Sequence, residues 1–327
     1  MWRQGVFAEI PSSLRRGTRT IVGEFGIAIA LFVEVAIFSS LSPFFLTAEN
    51  ILNVTLQTSI TAIIAAGMTF VILTSGIDLS VGALVALSGV LTTSVLKLGL
   101  PYPIVFPFAI LTAIFIGVMS GAIAGVLITR FEITPFIVTL ALMTIWRGTS
   151  YMYTDGRPIW GLPEQFGVLG GGRFLAVPIP TIVMIIVYVL AYVMLKHTRF
   201  GRYVYAVGGN KEAARLAGID TDRILVIVYI VSGALASTAG VLLASRMNSG
   251  QPNAGLMYEL DAIAAVVVGG TSLFGGRGTI IGTFLGAMLI GVLRNGLNLL
   301  NINSYIQQIV VGMVMLFAVM LDRLRKR

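Results

Sequence analysis

GGNKEAARLAGIDTD, residues Gly208 to Asp222, is a polar island between two long apolar runs. It is the one place where the chain offers a short water-exposed helix instead of a membrane-spanning one. Asn210 is a good N-cap, because its side-chain oxygen can accept from the free amides of the first turn, and Gly218 supplies a left-handed stop. About two turns of helix, Lys211 to Ala217, lie between them. A helix so short is marginal by itself in water and must gain order by packing against something else. Ala213, Leu216 and Ala217 provide a small apolar face for that purpose. These residues alone leave two readings open, an ordinary capped loop helix or a docking element.

Outside the island the chain is apolar. Its 327 residues are 57% hydrophobic and only 11% charged, with a mean hydropathy of +0.94. A helix needs about 20 apolar residues to cross the hydrocarbon core, and such runs repeat from residue 20 to residue 321. The chain therefore reads as an all-α polytopic membrane protein without a soluble domain. The net charge of +8 resides in an N-terminal arm with Arg3, Arg15, Arg16 and Arg19, in loops and in the tail. Lipid-surface and orientation roles explain it better than nucleic acid does. There is no cysteine and a single histidine, His197, which leaves no disulfide, thiolate metal site or histidine cluster and argues against a metal- or thiol-dependent enzyme. Neither Gly-rich stretch has the Lys-Ser/Thr ending of a phosphate-binding loop. Any ATP is hydrolysed on another chain, and no cofactor is expected on this one.

The apolar runs predict spans over 20–41, 51–75, 80–98, 103–128, 134–153, 178–196, 223–246, 259–274, 278–298 and 304–321, about ten in all. The first is read as an uncleaved span. Residues 1–19 form a basic arm, 20–321 a single transmembrane domain with a loop at about 197–222, and 322–327 a basic tail. The positive-inside rule puts both termini, the island and Arg277 in the cytoplasm. The span over 259–274 is short and ends in glycine, so a broken or re-entrant helix is an alternative there. Gly117, Gly121 and Gly125 recur every four residues, as do Gly278, Gly282 and Gly286, and Ala236, Gly240 and Ala244. Each set lies on one helix face, where missing side chains let another backbone come close. Gly76–Gly82 and Gly270–Gly276 share glycines and a leucine at matching offsets, at span junctions on the same side.

Acidic residues in or beside apolar runs are the costly ones. Glu24 and Glu34 fit the bilayer edge or a protonated state. Asp78 sits in a helix-to-helix turn, where it can cap the next span through the Ser80 and Val81 amides or, with Leu79, help form a gate. Glu259 and Asp261 open the eighth span after an outside loop, where carboxylates suit a helix N-terminus; the alternative is docking of an extracellular partner. Asn295, Asn298, Asn301, Asn303, Gln307 and Gln308 cluster at the outer ends of the last two spans. They either join helices or line a vestibule for a hydroxyl-rich solute. Phe274, at the inner junction, is the second gate candidate.

Three motifs add up to a family. Met68–Ser88, MTFVILTSGIDLSVGALVALS, resembles the motif of permeases of bacterial sugar-type ABC importers, the branch that includes the ribose, galactose, arabinose and xylose systems. Phe200–Ile219, FGRYVYAVGGNKEAARLAGI, looks like their cytoplasmic loop, and Tyr258–Gly278, YELDAIAAVVVGGTSLFGGRG, like their third hallmark. The match runs in order from about residue 50 to residue 322 and is most like the ribose permeases. The resemblance implies a fold of the ten-helix vitamin B12 type, called type II, in the bacterial inner membrane. It also implies a second permease copy, the same or different, an ATPase with two nucleotide-binding domains carrying ATP and magnesium, and a periplasmic sugar-binding protein. Under it, Gly208, Gly209, Asn210, Glu212, Ala213, Ala214, Arg215, Leu216 and Gly218 become the coupling helix that sits in a groove of the ATPase. Glu212-Ala213-Ala214 with Gly218 also mimics the EAA-x3-G start of oligosaccharide and amino-acid permeases. The later Ile-x-Leu-Pro is missing, for Val228, Tyr229, Ile230 and Val231 stand there, and this favours the sugar branch.

Two other classes remain in view. An ion-coupled secondary transporter would need a buried acid such as Asp78 or Asp261 to carry the ion. A membrane-embedded enzyme acting on lipid is disfavoured, because no His, Cys or paired-carboxylate set converges on one depth.

Overall fold

The computed structural model describes residues 26–325. The basic arm, Glu24, the first residues of the first span and Lys326–Arg327 of the tail lie outside the described residues. Ten helices carry most of the apolar sequence: α1 (Gly26–Leu41), α2 (Ala48–Leu73), α3 (Val81–Leu96), α4 (Tyr102–Arg130), α5 (Pro135–Thr154), α7 (Ile179–His197), α10 (Thr221–Met247), α11 (Tyr258–Val268), α12 (Ile280–Leu299) and α13 (Ser304–Arg325). Between them lie α6 (Glu164–Gly171), a two-residue hairpin β1 (Arg173–Phe174) and β2 (Val177–Pro178), α8 (Arg199–Gly209) and α9 (Lys211–Leu216). Five of them, α2, α4, α7, α10 and α12, are long and apolar enough to cross a membrane, and α1, α3 and the first part of α13 are shorter apolar helices.

α2 and α10 form the centre. From Thr58 to Leu73 every α2 residue except Thr61 is buried, and α10 packs against α4, α3 and α2. The main core joins Ile63, Phe70, Leu84, Met184, Tyr229 and Val266. On the outside of the bundle the large side chains stay apolar, as with Phe108 and Phe115 of α4, Ile186 and Val189 of α7, and Met313 and Leu316 of α13. Such continuous outward apolar faces are a liability in water and the normal state in lipid.

Where helices meet, small residues and hydroxyls make the contact. A Cβ at Gly117, Gly121 or Gly125 of α4 would strike α10 at Gly233, Tyr229 or Val226. Gly240 of α10 faces Ser88 and Val85 of α3, while Gly282 and Gly286 of α12 face Gly269 and Ala265. The third glycine of that last ladder, Gly278, lies in the turn before α12 and packs on Thr271 instead. Across the interfaces the Thr69 and Thr283 hydroxyls meet at 2.8 Å, Trp146 Nε1 donates to Ser120 Oγ at 2.7 Å, and the Tyr188 hydroxyl donates to Ala62 O at 3.0 Å.

One expected span is corrected. The helix over 259–274 stops at Val268, because Gly269 and left-handed Gly270, with φ +86°, turn the chain. Its 11 residues reach about 16 Å at 1.5 Å each, half of the roughly 30 Å core. Two helices in loop regions were not foreseen, α6 and α8.

The α4–α10 seam tolerates no side chain at Gly121. Gly121→Val is expected to destabilise the protein by about 2–3 kcal/mol, whereas Gly148→Ala, with nothing within 4 Å of the new Cβ, stays within about 0.5 kcal/mol of the parent. Unfolding midpoints in detergent compare the two.

Candidate functional site

The island folds as two capped helices in succession, α8 and α9. The Thr198 hydroxyl accepts from Gly201 N and caps α8, which buries Gly201, Val204, Val207 and Gly208 along one face. Phe200 stacks on Phe70 of α2 with ring centroids 6.3 Å apart, and the Tyr205 hydroxyl donates to Gly278 O at 2.9 Å. Asn210 ends α8 and starts α9, its Oδ1 accepting from Ala213 N at 2.9 Å. At the other end Gly218 N donates to Arg215 O and Ile219 N to Ala214 O, with Gly218 at φ +83°. This 5→2, 6→1 pair is the glycine-terminated helix stop expected from the sequence.

Only Ala214 of α9 is buried; Glu212, Ala213, Arg215 and Ala217 are exposed and Leu216 is 84% exposed. The small apolar face foreseen for packing therefore finds no surface within this chain. The Lys211–Asp222 ion pair, 3.5 Å long and solvated, adds little.

Three chain segments interlock beneath α9. A Cβ at Gly208 would collide with Leu73 O, and Gly276 N donates to that same carbonyl at 2.9 Å. Ser75 Oγ donates to Phe274 O at 2.8 Å and reaches Gly208 O at 3.4 Å. The two echo sequences, near Gly76 and Gly275, thus meet each other and the end of α8. Next to them Asp78 is buried, accepting from Ser80 N at 3.0 Å, Ser80 Oγ at 2.6 Å and Ser232 Oγ at 2.8 Å. Burial raises its carboxyl above the usual range while these bonds lower it. Leu79 is half-buried and Phe274 is 63% exposed. Gly208, Gly209, Phe274 and Gly276 line a cleft of about 360 Å³.

At the opposite end of α2 the amides pair with each other. Asn50 and Asn295 exchange two bonds of 2.9 Å, and Gln307 Nε2 donates to Asn298 Oδ1 at 2.7 Å and to Ile302 O. Asp261 is buried and held by Arg294 at 2.6 Å. Glu259 is half-buried against Gly82, its Oε2 without a partner. Nearby, Arg147 donates to Pro252 O and Ala254 O. Two bases join these acids, although neither was among the expected site residues. Arg147 and Arg294 interrupt apolar runs as conspicuously as Asp261 does, and a charge there demands a partner. Among the described residues no three of His, Cys, Asp and Glu converge as a metal site would require.

An apolar helical bundle whose outward faces stay apolar and whose polar groups are buried between helices defines a multi-pass membrane protein. Residues 50–319 match the family described as "Branched-chain amino acid transport system / permease component", and the chain belongs to that family. It is 49% identical to the ribose import permease protein of Haemophilus influenzae over 298 residues, 90% of this chain and 91% of the relative. The Bacillus subtilis ribose import permease protein is 50% identical over 93% of this chain and 94% of its own length. A D-allose transport system permease protein of Escherichia coli is 39% identical over 92% of both. No solved structure matches the chain.

Asp78→Ala removes the acceptor of three buried hydrogen bonds, an expected loss of about 2–3 kcal/mol. Asp78→Asn keeps a carbonyl acceptor and should lose less than half as much, which denaturation of both variants in detergent checks.

Proposed function

We propose that this chain is the membrane subunit of an ATP-binding cassette importer that carries a monosaccharide, ribose or a related sugar, across the bacterial inner membrane. The sugar class is supported by the ribose permeases, about half identical over nine-tenths of the chain. The observation that carries the mechanism is the bare tip of α9, a capped helix with Leu216 presented to solvent at 84% exposure. An isolated exposed leucine means little; one on a two-turn helix that needs a packing partner is an anchor for another protein. The partner is an ATPase carrying two nucleotide-binding domains, with ATP and magnesium on that chain. Both termini and α9 then face the cytoplasm, two permease copies, the same or different, enclose the path, and the ten helices α1–α5, α7 and α10–α13 correspond to a type II permease fold in which α11 reaches only half-way.

Movement of α9 passes first into α8, because Asn210 caps one helix and ends the other. From α8 it passes through Phe200 to Phe70 and through Gly208 to Leu73 and Gly276. The junctions at Asp78–Leu79 and Phe274 are the inner gate in this reading, and the 270–278 turn joins the flanking spans as a carrier of the motion. A sugar-binding protein delivers substrate at the opposite face. Of the two carboxylates there, Glu259 is better placed to meet it, since Asp261 is engaged by Arg294.

The test uses the absence of cysteine in the chain. Ala213→Cys or Leu216→Cys should crosslink to the co-expressed ATPase, and no crosslink under any nucleotide condition overturns the docking. Leu216→Asp should weaken ATPase copurification about tenfold or more without lowering the unfolding midpoint. Uptake into proteoliposomes that needs ATP and survives ionophores separates this importer from an ion-coupled transporter.

A further inference from the structure

Between Glu164 and Glu212 the chain holds no Asp or Glu, yet Lys196, Arg199 and Arg202 stand there close together. They mark the corner where α7, long and apolar enough to cross a membrane, gives way to α8. All three are exposed. Among the described residues none of them forms an ion pair, whereas Lys211 is matched by Asp222. Arg199 and Arg202, three residues apart, share one side of α8, away from the buried Gly201, Val204 and Gly208. The bundle fixes that side, because Phe200 stacks on Phe70 and the Tyr205 hydroxyl donates to Gly278 O. Lys196 is ordered too: its Nζ donates to the Tyr192 hydroxyl at 2.7 Å and lies 5.0 Å from the centre of that ring.

What adjoins these cations selects the ligand. Ile186, Val189 and Val193 are exposed along α7, and their spacing of three and four residues makes them one stripe, which Lys196 continues three residues on. An apolar stripe that runs into a cationic end has the pattern of a phospholipid, with an acyl chain along the helix and a phosphate at the corner. Guanidinium groups suit that phosphate, since they can hold two of its oxygens at once. A zwitterionic headgroup would bring its own ammonium beside three cations, so the corner favours a headgroup with net negative charge. The stripe belongs to the outward apolar surface of α7, and this continuity commits the corner to lipid rather than to a protein.

We propose that the α7–α8 corner is a binding site for an anionic phospholipid, its phosphate held by Lys196, Arg199 and Arg202 and an acyl chain lying along Ile186, Val189 and Val193. The site is independent of which solute the protein carries. It ties the bilayer to α8, the helix whose far end meets Leu73 and Gly276, so the lipid steadies the element that α9 leans on.

Val193→Cys, in a chain that has no cysteine, places a single NBD fluorophore on the stripe. With the full-length permease in phosphatidylcholine nanodiscs, phosphatidylglycerol bearing a nitroxide acyl chain should half-quench it at about fivefold lower mole fraction than nitroxide phosphatidylcholine, the worth of one cation near the surface. Arg199→Gln combined with Arg202→Gln should bring that ratio to within about twofold of unity. Arg130→Gln, which removes an exposed base at the end of α4, should leave it unchanged. If the double variant fails to assemble, judged by gel filtration in detergent, Arg202→Gln alone should roughly halve the ratio. Equal quenching by the two lipids overturns the site. An equal loss in Arg130→Gln also overturns it, since the attraction is then diffuse surface charge. Abolition of the ratio by excess glycerol 3-phosphate gives the corner to soluble phosphate, and displacement of the nitroxide phosphatidylglycerol by added ATPase gives it to protein; either result overturns the lipid site.

Discussion

Helices in hydrocarbon gain little by burying leucine against leucine, so this fold depends on how closely its backbones can approach. The closest approaches are glycine against backbone. Gly117, Gly121 and Gly125 seat α4 on α10, Gly282 and Gly286 seat α12 on α11, and Gly208 presses the end of α8 onto the last carbonyl of α2. Each contact admits no Cβ, so each fixes the register of two elements to within a fraction of a turn. The apolar side chains then divide between a tightly packed centre around α2 and an outer surface left for lipid.

That same closeness joins the two ends of the molecule. α9 packs on α8 and, less, on α10, and α8 is clamped by Phe200 on Phe70, by Tyr205 on Gly278 and by Gly208 on Leu73. An element with one exposed anchor and three clamps is suited to passing a push inward rather than absorbing it. The broken helix α11 carries Asp261 of the Asp261–Arg294 pair in its first turn and runs at its other end into the clamped turn. A helix that stops half-way leaves backbone groups that protein must satisfy, and Gly269 N and Gly270 N donate back to Ala265 O and Val267 O to do so.

Polar groups divide by the same constraint. Asn50 with Asn295, and Gln307 with Asn298, spend their amides on joining helix ends. Asp78 is absorbed by Ser80 and Ser232. The Thr58 hydroxyl of α2, by contrast, is buried without a hydrogen-bond partner.

Sequence by itself determined the membrane class, most helix limits and the caps of α9, because hydropathy, Asn at an N-cap and Gly at a helix stop act over a few neighbouring residues. It also carried the resemblance to sugar permeases, since whole motifs stand in order. The end of α11 was left between a full span and a broken helix because Gly269-Gly270 interrupts a run that remains apolar on both sides, and α8 was missed because Arg199, Arg202 and Tyr203 read as a polar loop although Val204 and Val207 face inward. Tertiary structure alone decided that Ala214 and not Leu216 is buried in α9, that Asp261 meets Arg294, and that Thr58, Thr61 and Tyr258 surround one space. Those outcomes depend on which helix lies next to which, a matter of backbone approach between residues as far apart as Asn50 and Asn295, and no local pattern in the chain encodes it.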